Sequence, residues 1–171
     1  MLGFLFRGLT ADRASGGAAL FEALTAEARR PHWFVEGAVP DTLDGRFAVL
    51  ATLVALTLVR LEGEGEAGDR LSVALTESFI HVMESEHREL GLGDPTLGRT
   101  VRKLVGMLAR RTELWRGAVA GETGWADATR ESLHKGDAAP DALGHGAAEL
   151  DCFSKRLAAE TLDELKQGRV G

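Results

Sequence analysis

The sequence predicts an all-α fold, a single-domain bundle of about six helices with no sheet. Apolar residues recur with a period near 3.6 along almost the whole chain, and no segment alternates with the period of two that a strand requires. Proline and glycine separate these periodic segments. With 171 residues, of which 44% are apolar and 27% charged, the chain has the size and composition of one globular domain.

The helices follow from this periodicity in chain order. They are predicted over residues 17–30, 43–61, 71–90, 95–119, 125–134 and 147–167. The second is apolar nearly all round, which places it at the centre of the core. An acidic, glycine-rich loop is expected over residues 63–68, before the third helix.

The domain organisation that we predict has four parts. Residues 1–16 form a flexible N-terminal segment, and residues 17–135 form the helical domain. Residues 136–146, which include Pro140, are predicted to be a linker. Residues 147–171 then form a C-terminal amphipathic helix that packs on the same domain.

Several features favour a cytoplasmic protein. The single cysteine, Cys152, excludes an internal disulfide and suits a reducing compartment. The longest apolar run, residues 47–59, has 13 residues, whereas a membrane-spanning helix needs roughly 18 to 20. The first residues also lack the positively charged region that begins a secretory signal. We therefore expect neither export nor a transmembrane helix.

The strongest pattern for an enzyme is that of a ferritin-like metal site, in which Glu-x-x-His pairs on two helices follow single glutamates on others. The residues that match are Glu62, Glu84, His87, Glu113, Glu131 and His134. On a helical wheel, however, Glu84 lies about 150° from the apolar stripe of its helix and faces water. We predict no catalytic residue, metal site or cofactor, with a helical metal- or small-molecule-binding enzyme as the alternative.

Residues 39–47, VPDTLDGRF, combine a helix start, three charges and a glycine in one turn. Pro40 favours an extended residue before it, and Asp41 is predicted to cap the following helix. Capping does not explain Gly45, because glycine costs about 1 kcal/mol relative to alanine inside a helix. Nor does it explain Arg46, whose cation is unfavourable near the positive end of the helix dipole. This segment is therefore expected to have a second role.

A second dense segment, residues 83–94, has the sequence MESEHRELGLGD. Together with residues 39–47, it resembles the ubiquinol-cytochrome c chaperone family, whose corresponding segments read VPDTxDGRF and MDxxLREMGVGD. In the second segment the matching residues are Arg88, Glu89, Gly91, Gly93 and Asp94. The chain departs from the family pattern at His87, where the family favours leucine.

The resemblance implies a non-enzymatic assembly factor for respiratory complex III that binds apo or newly made cytochrome b. It also implies a peripheral location at the inner membrane, on the matrix side if the protein is organellar. The residues that it marks for client or partner binding are Asp41, Thr42, Asp44, Gly45, Arg46, Arg88, Glu89, Gly93 and Asp94. A second assembly protein and the ribosome are further candidate partners, a ribosome-docking module is an alternative function, and DNA binding is not expected.

Positive charge is concentrated in the fourth helix. Residues 99–116 contain six cations and one acid, which gives them a net charge of +5 in a chain of net charge −6. Arg99, Lys103 and Arg110 lie together on the helical wheel, opposite the apolar stripe, and we call them the cationic ridge. The ridge is interpreted either as an ordinary solvated face or as a docking surface for an anionic membrane, ribosomal RNA or acidic loops of a client.

The order of the helices also predicts contacts between distant residues. Glu86 projects toward the core and is predicted to pair with Arg111 on the next helix. Antiparallel packing of the second and third helices should bring the two family segments together. Large aromatic residues are candidates for lining a client groove, with core burial favoured for Trp115: Trp33, Phe34, Trp115 and Trp125.

Overall fold

The structure, a computed structural model, describes residues 16–89 and 94–171, with side chains described outside residues 86–97. In this part of the chain there are seven α-helices and no strand, which confirms the predicted all-α fold. The helices are α1 (Gly17–Ala28), α2 (Leu43–Leu61), α3 (Gly65–Glu89), α4 (Asp94–Val119), α5 (Trp125–His134), α6 (Pro140–Ala159) and α7 (Leu162–Lys166). A 3-10 turn covers Pro31–Trp33. Apart from Gly16, the predicted N-terminal segment lies outside the described residues.

Helix α2 is the centre of the bundle, as its nearly uniform apolar sequence predicts. It packs against α1, α3, α4, α5 and α6, and each residue from 48 to 57 is buried. The hydroxyl groups of the two threonines in this stretch, Thr52 and Thr57, donate hydrogen bonds to the carbonyl oxygens of Ala48 and Leu53, each at 2.8 Å. These hydrogen bonds satisfy the hydroxyl groups inside the core, so the central helix carries no unpaired hydroxyl.

Helix α3 begins at Gly65, so the prediction of a loop over residues 63–68 is wrong for residues 65–68. The acidic residue Glu66 lies in the first turn, where a carboxylate interacts favourably with the helix dipole. It also binds Arg70 one turn later. The glycines of this segment favour the prediction of a loop, because glycine has a low helix propensity. They therefore outweigh these helix-forming features when the sequence alone is considered.

The C-terminal part differs from the prediction in two places. Helix α6 begins at Pro140, inside the predicted linker over residues 136–146, because proline fits the first turn of a helix. The helix predicted over residues 147–167 is divided, since α6 ends at Ala159 and α7 begins after Thr161. Thr161 and Glu164 form a reciprocal capping box that starts the new helix.

Two arginines attach α6 to the rest of the bundle. Arg60 of α2 donates to the carbonyls of Leu157 and Glu160 at 3.0 and 2.9 Å, which satisfies acceptors at the C-terminal end of α6. Arg156 of α6 binds the buried carboxylate of Glu27 in α1 at 3.0 Å. The C-terminal helices are therefore tied to α1 and α2 by polar as well as apolar contacts.

Candidate functional site

An open groove of about 1130 Å³ lies where the N-terminal end of α2 meets α1, α3 and α4. Its lining is mostly apolar and comes from all four helices. The main apolar residues are Phe21, Phe47, Leu50, Val82, Met83, Leu104 and Met107. Leu43, at the start of α2, also lines the groove and is 60% exposed. A concave, largely apolar surface of this kind is suited to binding apolar ligands or chain segments.

Methionine is concentrated in this groove. The chain contains three methionines, and the two other than Met1 are Met83 of α3 and Met107 of α4, which both line it. Methionine has a flexible, polarisable side chain that adapts to different partners. The groove can therefore adjust to apolar side chains of varied shape.

The charges around the groove are unequal. Its lining includes two acids, Glu22 and Asp44, and five cations: Arg29, Arg46, Lys103, Arg111 and Lys135. Asp44 contacts Lys135 at 3.5 Å. Among the described residues Lys103 has no ion pair. The rim thus keeps an excess of positive charge on the side of α4.

The start of α2 forms one edge of the groove, and its cap differs from the prediction. Thr42, not Asp41, is the N-cap, because its hydroxyl oxygen accepts a hydrogen bond of 3.2 Å from the Gly45 backbone N–H. The carboxylate of Asp41 instead binds the Arg46 guanidinium at 2.7 Å. This hydrogen bond holds the pKa of Asp41 below its usual range. The same pair compensates the unfavourable cation near the helix start.

Substitution of Thr42 by alanine should lower the free energy of unfolding by about 0.5 to 2 kcal/mol, because it removes the N-cap of the central helix. Asp41→Ala should have a smaller effect, since the Asp41–Arg46 pair is exposed to solvent. Urea denaturation followed by circular dichroism measures both values. A larger loss for Asp41→Ala than for Thr42→Ala would contradict this assignment of the cap.

Gly45 is explained by a close approach of the backbone. A Cβ atom at this position would lie 1.8 Å from the carbonyl oxygen of Pro40, which is far inside any allowed contact. The turn formed by residues 39–47 therefore accepts only glycine here without moving. This steric requirement accounts for a residue that the capping pattern leaves unexplained.

Gly45→Ala should destabilise the protein by about 1 to 3 kcal/mol, the usual cost of overpacking. The matched control is Gly144→Ala in α6, where a Cβ atom would meet nothing within 4 Å. That change should raise stability by about 0.5 to 1 kcal/mol, because alanine is the better helix former. Thermal unfolding of both variants provides the comparison, and equal midpoints would contradict the steric explanation.

The described parts of the two family segments meet at this groove. Asp44, Arg46 and Phe47 of the first segment line it, and so does Met83, the first residue of the second. The other candidates of the second segment lie outside the described side chains: Glu86, Arg88, Glu89, Gly93 and Asp94. The proposed pair between Glu86 and Arg111 therefore stays a prediction. In the described part, Arg111 donates to the carbonyl of Ser132 at 3.3 Å, and burial lowers its pKa.

The aromatic candidates for a client groove do not line this one, and the core burial favoured for Trp115 is confirmed. Trp33 and Trp115 are fully buried, and their indole N–H groups donate to the carbonyl of Glu27 and the hydroxyl of Ser132, each at 3.0 Å. Trp125 packs against Trp115, and Phe34 packs partly buried against the core. The groove instead uses phenylalanine and methionine. The two internal methionines were the sequence signal that could have indicated it.

Geometry is unfavourable to the ferritin-like alternative. Glu62 and Glu113, which would have to face the bundle interior, are exposed and both bind Arg116. The hydrogen bond from Arg116 also lowers the pKa of Glu62. In the described residues, no group of three histidine, cysteine, aspartate or glutamate side chains could hold a metal ion. The side chain of His87 lies outside the described part.

The cationic ridge lies beside the groove on α4. Arg99, Lys103 and Arg110 are all exposed, and none of them forms an ion pair with another described residue. Lys103 belongs to both surfaces, since it also lines the groove. No helix in residues 16–89 and 94–171 has the length and hydropathy needed to cross a bilayer.

Comparisons with known proteins identify the family. The family described as ubiquinol-cytochrome C chaperone matches residues 36–142 of this chain. The fold is similar to that in the crystal structure of the Cbp3 homolog from Brucella abortus, with 25% sequence identity and a TM-score of 0.78. This similarity covers 98% of this chain and 94% of that one. Among curated proteins, none matches the sequence significantly. The chain belongs to the ubiquinol-cytochrome c chaperone family, and this membership supports a role in the assembly of respiratory complex III.

Proposed function

We propose that this protein is a non-enzymatic chaperone that binds newly made cytochrome b and holds it until the ubiquinol-cytochrome c reductase assembles. The groove at the start of α2 is the proposed binding site. The observation that carries the proposal is its lining, an apolar surface with both internal methionines at the point where the described parts of the two family segments meet. An apolar segment of a membrane protein would find there the contacts that water cannot provide.

The residues of the first family segment divide into two roles in this proposal. Asp44 and Arg46 line the groove and can contact the client. Thr42 and Gly45 position the helix start that forms the groove edge, the first through its capping hydrogen bond and the second through its lack of a side chain. Arg88, Glu89, Gly93 and Asp94 remain proposed client contacts, because the groove is lined by residues on both sides of them in sequence.

The proposed location is cytoplasmic and peripheral at the inner membrane, where cytochrome b is inserted. The cationic ridge supports this location, because clustered lysine and arginine side chains are attracted to anionic lipids. A second assembly protein and the ribosome are the further partners that we propose.

Affinity capture from the native membrane fraction tests the client. Tagged wild-type protein should retain cytochrome b, and Leu43→Asp should lose it, because the new carboxylate would lie in the apolar lining. Aspartate suits the first turn of a helix, so this change should not weaken the fold.

The matched control is Val73→Asp, since Val73 of α3 is 57% exposed and does not line the groove. This variant should retain cytochrome b at the wild-type level, and the melting temperatures of all three proteins should be similar. Absence of cytochrome b from the wild-type capture, or equal retention by Leu43→Asp, would refute the proposal.

A further inference from the structure

We infer that the groove selects a helical client segment that is apolar along one side and carries carboxylates on the side facing α4, where Lys103 binds them. This inference rests on the proposed function, and it specifies the chemistry of the segment that the groove accepts. It follows from the form of the groove and from the distribution of charge on its two walls.

The form of the groove favours a helix. An extended segment leaves backbone groups unpaired unless it adds to a sheet edge, and the described part of this protein contains no strand. A helix satisfies its own backbone hydrogen bonds and presents only side chains to the apolar lining. A helix of about ten residues, about 10 Å in diameter, has a volume of the same order as that of the groove, about 1130 Å³.

The two walls differ in charge. The α1 wall carries one acid and one cation, Glu22 and Arg29, so it is neutral overall. Among the lining residues that the structure describes, the α4 wall carries Lys103 and Arg111 and no acid. Arg99 and Arg110 of the ridge add further positive charge on the same helix. The field across the groove is therefore directional, and a carboxylate on the bound segment is most stable beside α4.

Lys103 is the residue best placed to select the carboxylate. It is exposed, it lines the groove, and it has no ion pair among the described residues. In contrast, Arg46 is held by Asp41, and Lys135 lies near Asp44. Arg29 on the α1 wall also forms no described ion pair, but Glu22 on the same wall offsets its charge. Among the described lining residues, only the α4 wall therefore offers a client carboxylate cations without an acid on the same wall. This arrangement fixes the orientation of the segment as well as its charge.

Binding of synthetic peptides tests the inference. Three fluorescently labelled helical peptides share one leucine- and alanine-rich sequence and differ only at two positions on one side, which carry Glu, Gln or Lys. Fluorescence anisotropy at low salt should show that wild-type protein binds the Glu peptide about two- to fivefold more tightly than the Gln peptide, the scale of one exposed ion pair. The Lys peptide should bind more weakly than the Gln peptide.

The decisive variant is Lys103→Glu, which should reverse this order of affinities. Its matched control is Arg102→Glu, which introduces the same charge on the neighbouring residue of α4, where the side chain is exposed and does not line the groove. The control should keep the wild-type order. Leu43→Asp should weaken the binding of all three peptides, which would show that they bind in the groove.

Equal affinity of the wild type for the three peptides would overturn the inference, and so would an unchanged order in Lys103→Glu or the absence of any peptide binding. If the peptides gave one of these results while the tagged protein still captured cytochrome b, the inference would fail and the proposed function would stand. Conversely, a charge preference that depends on Lys103, without capture of cytochrome b, would support the inference and refute the proposed client.

Discussion

Replacement of Arg99, Lys103 and Arg110 by glutamate is expected to abolish recruitment of this protein to anionic membranes and to leave its fold intact. Each basic residue near an anionic membrane surface contributes about 1 kcal/mol, so three reversals remove most of the attraction and add repulsion. The three side chains are exposed, and none has an ion pair among the described residues, so the helix should not depend on them.

Sedimentation with vesicles that contain phosphatidylglycerol, at low and at moderate salt, measures this effect. Wild-type binding should fall steeply with salt, because the screening length is about 8 Å at physiological ionic strength. The control variant carries Arg70, Lys155 and Arg169 replaced by glutamate, which are exposed residues outside the ridge. Both triple variants change the net charge from −6 to −12, since each replacement contributes −2. Equal binding of the wild type and the ridge variant to the vesicles would show that the ridge is an ordinary solvated face.

The second large effect is expected at Arg60, in the contact between α2 and the end of α6. Arg60→Met should lower the free energy of unfolding by about 2 to 3 kcal/mol, because it removes two charge-assisted hydrogen bonds, which contribute more than neutral ones. The Leu157 carbonyl would keep its hydrogen bond from the Glu160 backbone N–H. The acceptors are the backbone oxygens of Leu157 and Glu160, and the Arg60 side chain is only 20% exposed.

Arg70→Met is the matched control for Arg60→Met. Arg70 is 65% exposed and pairs only with Glu66 on its own helix, so its removal should cost less than about 0.5 kcal/mol. Urea unfolding of the wild type and both variants, followed by circular dichroism at 222 nm, gives the change in the free energy of unfolding for each substitution. Similar costs for the two substitutions would show that the contact between Arg60 and α6 adds little to stability.

Much of the fold could be predicted from local pattern. The predicted bounds of α2 and α5 agree with the structure, because both helices have clear periodicity or uniform burial and definite ends. The errors lie where short-range signals compete. Pro140 was interpreted as part of a linker, although proline also starts helices, and the Thr161-x-x-Glu164 capping box was missed within a longer periodic stretch.

The candidate site was predicted in part. The sequence indicated the segment at the start of α2 and the basic residues of α4, because both are patterns of neighbouring residues. It assigned the cap to Asp41, whose carboxylate instead binds Arg46 five residues later. It also offered Trp33 and Trp125 as candidates for the groove, and it favoured core burial for Trp115, which is fully buried. The N–H groups of Trp33 and Trp115 have buried acceptors, so burial of the whole side chain carries no unsatisfied polar group.

By itself, the sequence determined the helical class, the central position of α2, the charge of α4 and the family segments, since each depends on residue type at a fixed spacing. Only the tertiary structure decided where the groove lies, which wall of it carries an excess of positive charge and why residue 45 must be glycine. The physical reason is that these properties depend on how the ends of four helices meet. Spacing along one helix reports which face is apolar, but not which apolar side chains remain uncovered after packing.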